Sequence, residues 1–132
     1  MNVTEIAERV LELPNEISLA KQFALSEQET YYKLKREYDE QEAKAYIEIS
    51  NEEGPTGKPK YSNAESRKAA VTIGMSEETK KLIEQEFKYK DAYRVAEELE
   101  NIFKANLAVI RFYSGDVVLR EENAGTSTRH TD

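Results

Sequence analysis

The chain contains no cysteine and no tryptophan, a single histidine, three prolines and five glycines. Without cysteine there is neither a disulfide framework nor a thiolate zinc site. The one histidine, His130, lies in a small polar tail, so an oriented imidazole acting as general base is not expected. Gly54-Pro-Thr-Gly57 has neither the spacing nor the Lys-Ser/Thr pair of a phosphate-binding loop, although Lys58 follows it. No apolar run approaches the ~18 residues that cross a bilayer. Met1-Asn-Val-Thr-Glu-Ile lacks a basic region followed by an apolar one, so a secretory leader is not expected and a cytoplasmic location is. Together these absences exclude most routes to catalysis, and the chain is expected not to be an enzyme and to carry no cofactor.

What remains is a 132-residue chain that is 34% charged and 39% apolar. Such a composition suits helices with narrow apolar stripes better than one large monomeric core. Val3 to Leu13 reads as a short helix that Thr4 can cap, and Pro14 ends or kinks it. Residues 16–50 hold no glycine or proline. There Ile17, Ala20, Ala24, Tyr31, Leu34, Tyr38, Ala45 and Ile49 follow a three-four alternation, which predicts a long helix with a coiled-coil-like seam. Glu27 or Gln28 and Gln41 fill the missing turns, which suggests loose packing. Residues 52–61, with three breakers close together, read as a loop. Ser62 followed by Glu65 forms a capping box for a short helix over 62–73, and Gly74 can stop it.

Ser76 opens a second long helix expected to reach residue 121, with residues 123–132 as a disordered tail. Its seam passes through Leu99, Phe103, Ile110, Tyr113 and Val117. Because 102–119 is apolar on more than one face, these five form the expected oligomer interface. A β-hairpin within 108–120 is the competing reading, since Gly115-Asp116 is flanked by β-branched residues. The predicted fold is therefore all-α: a long antiparallel helical hairpin with short additional helices, in a homo-oligomer.

The net charge is −7, but its distribution is uneven. Residues 1–53 hold 6 basic and 13 acidic side chains, residues 54–94 hold 9 and 6, and residues 95–132 hold 4 and 7. Only the middle third is cationic. Lys33, Lys35 and Arg36 beside Tyr32, then Lys58, Lys60, Arg67 and Lys68, combine cations with an aromatic in the way that single-strand binding uses. Tyr31, Leu34 and Tyr38 belong to the packing seam, which leaves Tyr32 as the better base contact. Lys80, Lys81, Lys88, Lys90 and Arg94 have acidic partners at helical spacing and read as ordinary surface pairs. Carboxylate pairs such as Glu48 with Glu52 or Glu84 with Asp91 recur in any polar helix, and no metal site is expected.

The order of these parts, with Tyr61, Ser62, Glu65, Arg67 and Lys68 and then Leu99, Ile110, Phe112, Ser114 and Gly115, resembles the small phage-encoded helical-hairpin proteins of recombination and replication clusters. It is distantly similar to the UvsY-type recombination mediators. The resemblance covers residues 25–122 in architecture and only these short patches in sequence. It implies a ring-like homo-oligomer in the host-cell cytoplasm that binds single-stranded DNA and helps load a recombinase, with a helicase or single-strand-binding protein as further partners. The basic residues of the family's first long helix would correspond to Lys33, Lys35 and Arg36, while Glu37, Asp39, Glu40 and Glu42 depart from its pattern. The alternative is an acidic inhibitor of a host nuclease or defence system, whose carboxylates imitate a nucleic-acid backbone. A virion scaffold is a third reading. It would bind neither strands nor a nuclease.

Overall fold

A computed structural model describes residues 2–130, with side chains for residues 2–115. The fold is all-α and comprises α1 (Val3–Ser50), α2 (Ala64–Gly74) and α3 (Ser76–His130). Among the described residues the β feature is an isolated antiparallel bridge between Glu53 and Pro59.

α1 departs from expectation at its beginning and at its proline. Asn2, not Thr4, caps it: the Glu5 N–H donates to Asn2 Oδ1 at 2.9 Å and the Asn2 N–H donates back to Glu5 Oε2 at 3.3 Å. That reciprocal pair satisfies two of the helix's orphan donors. The helix then continues through Pro14, where two separate helices were predicted. An interior proline costs about 3 kcal/mol, because it removes a donor and crowds the carbonyl four residues back. Two features oppose that cost. Leu13 is 0% exposed, and full burial of a leucine contributes about 1.5–3 kcal/mol. Arg9 also spans the proline, with Nη1 2.7 Å from Glu16 Oε1 and 2.6 Å from Oε2. Its hydrogen bond holds the Glu16 carboxyl below the usual carboxylate range. The pair's support is therefore present at neutral pH and is lost as acid protonates Glu16.

The cap of α2 lies one residue later than the sequence suggests. Asn63 Oδ1 accepts the Ser66 N–H at 2.7 Å, and the Asn63 N–H reaches Ser66 Oγ at 3.4 Å. Asparagine is as good a cap as serine, and here it takes the place of the predicted Ser62–Glu65 box. Gly74 remains helical. The break falls at Met75, whose backbone leaves the helix and whose N–H still bonds the Val71 carbonyl at 2.9 Å. Met75 alone separates α2 from α3.

The connection between α1 and α2 folds back on itself. The Lys60 N–H donates to the Glu52 carbonyl (2.9 Å) and the Gly54 N–H to the Lys58 carbonyl (2.7 Å). Gly57, with φ of 78°, supplies the left-handed residue at the tip. α3 contains all of 108–120 in helical form and continues to His130, past the predicted end at 121 and through most of the predicted tail. Thr131 and Asp132 lie outside the described residues.

Two compact units divide the chain: Phe23–Ala92, and Met1–Gln22 with Tyr93–Asp132. Within Phe23–Ala92, α1 and α3 run antiparallel, since Glu27 meets Gln85 while the later Tyr38 meets the earlier Thr79. Its buried side chains are Ala24, Val71, Met75, Ala92 and the polar Gln85. Gln85 Nε2 donates to the Glu27 backbone carbonyl at 2.9 Å and to Glu27 Oε2 at 2.7 Å. The polar turn expected to loosen the seam is thus a buried hydrogen-bonded contact. Tyr31 packs on Tyr89 with ring centroids 5.0 Å apart, and partial burial lifts the Tyr89 phenol above its ordinary range. In the other unit Leu13 and Ala96 are buried, and Lys21 pairs with Glu100.

The phase of α1 around the proline has a measurable consequence. Leu13→Ala is expected to destabilise the protein by about 2–5 kcal/mol. Leu11→Ala, at a side chain 82% exposed, should shift stability by no more than about 0.5 kcal/mol. Urea unfolding of the two variants checks the pair, and equal losses would contradict this placement.

Candidate nucleic-acid interface

All eight residues expected to meet nucleic acid fall within the Phe23–Ala92 unit. They do not form one patch. At 3.6 residues per turn, Lys33 and Arg36 occupy the side of α1 away from Leu34 and Tyr38, whereas Lys35 lies on a different side in line with Asp39, Glu42 and Tyr46. Lys68, from α2, joins Asp39, Glu42, Ala43, Tyr46 and Ile47 around an open hollow. Lys35 pairs with Asp39, and Lys68 lines the same hollow. Lys58 stands apart near the loop tip, exposed.

Local chemistry sorts these cations further. Lys35 Nζ lies 2.8 Å from Asp39 Oδ1 and 5.5 Å from the centre of the Tyr38 ring. The hydrogen bond to Asp39 raises the Lys35 pKa above the ordinary lysine value. Lys60 Nζ lies 3.1 Å from Glu52 Oε1 and 5.4 Å from the Tyr61 ring centre, and Glu52 raises its pKa in the same way. Arg67 turns its Nε–H back to the Asn63 carbonyl at 3.2 Å. Lys33, Arg36, Lys58 and Lys68 form no ion pair among the described residues. A phosphate would compete with a carboxylate at Lys35 and Lys60, but only with water at those four.

The start of α2 also changes meaning. An uncapped helix N-terminus attracts anions because its N–H groups point outward. Here Asn63 Oδ1 takes the Ser66 N–H and Ser66 Oγ takes the Asn63 N–H, so two of those donors are already satisfied within the cap.

Aromatic placement follows the seam. Tyr31 and Tyr38 are half-buried between helices, and Tyr38 Oη lies 3.0 Å from Thr79 Oγ1. Tyr32 is 51% exposed and shares an arc of α1 with Arg36 and Lys33. Two residues that sequence reasoning passed over, Leu25 and Ile47, are exposed on the same arc. The signal was available, because both keep the helical phase of Tyr32 and Arg36. Gln85 was missed as well, and its phase alone does not reveal a buried amide.

The residues expected at an oligomer interface all lie on α3. Leu99, Phe103 and Ile110 are half-buried within their own chain, Tyr113 is exposed, and Val117 lies outside the described side chains. Among the described residues no group of three His, Cys, Asp or Glu side chains is arranged to hold a metal ion, and no helix is long and apolar enough to cross a membrane. In sequence the chain matches no family model and no characterised protein, and in fold it matches no solved structure.

If Glu52 is what holds Lys60, Glu52→Gln should return the Lys60 titration towards the ordinary lysine value. A carbon-13 titration of the lysine side chains by NMR reads this directly. An unmoved Lys60 would show that the pair does not form in solution.

Proposed function

We propose that the protein is a recombination or replication accessory factor that holds single-stranded DNA weakly at each copy and strongly as a homo-oligomer, and that assists recombinase loading. The observation that carries this reading is the outer arc of α1. Tyr32 is exposed there beside Lys33 and Arg36, two cations without an ion pair among the described residues. Lysine and arginine contact phosphates while an exposed ring stacks on an unpaired base. Lys58 and Lys68 add charge from the loop and α2, and Lys35, Lys60 and Arg67 join if phosphate displaces their present partners. Few cations per copy give weak binding, and repetition in an assembly multiplies it through effective concentration.

A second reading draws on Lys35. Because Asp39 holds Lys35, the exposed Glu37, Glu40 and Glu42 stand out along that stretch of α1, as suits an acidic inhibitor of a nucleic-acid-binding enzyme. The two readings separate by sign.

Fluorescence anisotropy with a labelled single-stranded oligonucleotide decides between them. Saturable binding is expected, with log affinity falling against log salt at a slope of about −3 for four phosphate contacts. Lys33→Glu with Arg36→Glu should weaken it by at least about tenfold at low salt. Absence of saturable binding at low salt would overturn the DNA reading and favour the inhibitor.

A further inference from the structure

α3 in the unit formed by Met1–Gln22 and Tyr93–Asp132 is apolar on two faces, and its own chain uses one of them. Ala96 is buried, and Leu99, Phe103 and Ile110 are half-buried. These four share one side of the helix. The adjoining side carries Val95, Ile102, Ala105, Val109 and Phe112, of which all but the half-buried Val109 are exposed. Phe112 is 72% exposed and edge-on to Tyr113, ring centroids 5.8 Å apart.

The spacing on this outer side is that of a heptad. Val95, Ile102 and Val109 recur every seventh residue, with Glu98, Ala105 and Phe112 three positions after each. Stiff β-branched side chains at the first of these positions suit the holes of a facing helix. Glu98 is the one charged member, and Arg94 one turn earlier already pairs with it, so its carboxylate enters the seam partnered.

The sparse core of this unit points to the same occupant. In this unit the only buried apolar side chains among the described residues are Leu13 and Ala96. Two helices bury too little between them, and pairing two such units makes a four-helix layer with a core.

We propose that the face of α3 bearing Val95, Ile102, Ala105, Val109 and Phe112 pairs with the same face of a second copy of this chain about a two-fold axis. The inference rests on the homo-oligomeric part of the reading above, and it replaces the interface predicted from sequence with the neighbouring face. It does not depend on DNA binding.

Light scattering coupled to size exclusion tests it on the full chain. The native protein should have the mass of two copies or an even multiple. Ile102→Glu with Phe112→Glu should halve that mass while circular dichroism keeps its helix signal, and Lys104→Glu, outside the seam, should leave the mass unchanged. Should the charged pair lose helicity, Ile102→Ala with Phe112→Ala provides the second measurement, with self-association at least tenfold weaker by analytical ultracentrifugation. A native protein of single-copy mass at all concentrations would overturn both this proposal and the oligomeric reading. A native oligomer whose mass is unchanged in the helical charged variant would overturn this interface alone. Anisotropy on the same samples reports separately on DNA binding.

Discussion

The constraint behind the rest of this structure is scarcity of buried apolar surface. Leu13 is the one large side chain fully buried among the described residues, and Ala24, Ala92 and Ala96 supply half of the apolar core. Small residues let helices approach closely, but each contributes little transfer free energy. Under that constraint, register cannot be left to hydrophobic contact alone. In the Phe23–Ala92 unit a polar contact fixes it: Gln85 is 8% exposed and bonds both the backbone and the side chain of Glu27. Sliding α3 by one turn would strand a buried amide, which costs more than an ordinary hydrogen bond contributes. The Tyr38–Thr79 contact acts in the same sense nearer the end of the hairpin.

A thin core also shapes what the surface can do. Large apolar side chains stand outward on both long helices, and the cations are distributed between α1, the loop and α2. Two of those cations already have carboxylate partners. A surface of this kind offers weak, repeated contacts and not one deep site. It suits the function proposed above, in which weak strand contacts are repeated across an assembly.

Much of the fold was legible in the sequence because it depends on punctuation. Long runs without glycine or proline gave α1 and α3, and the clustered breakers after residue 52 gave the loop. The readings that failed were local decisions settled by tertiary contacts. Pro14 breaks a helix by its own chemistry, but Arg9–Glu16 and buried Leu13 oppose it. Ser62 and Asn63 are both good caps, and only the backbone course shows that Asn63 Oδ1 reaches Ser66. Which neighbour covers the apolar face of Leu99, Phe103 and Ile110 is not readable from periodicity; in the structure these side chains are half-buried within the chain. At the candidate site, the residue types were visible from spacing, and the half-burial of Tyr31 and Tyr38 follows the seam read from sequence. The ion pairs of Lys60 with Glu52 and of Lys35 with Asp39 depend on side-chain geometry that spacing leaves open.

The most direct test of this account is the concentration dependence of thermal unfolding, followed by circular dichroism over a hundredfold range of protein. A fold that completes its core with a second copy must gain stability by mass action, so the melting temperature should climb steadily with concentration. A melting temperature that stays constant across the range would show that one chain is self-sufficient, and would contradict the central claim.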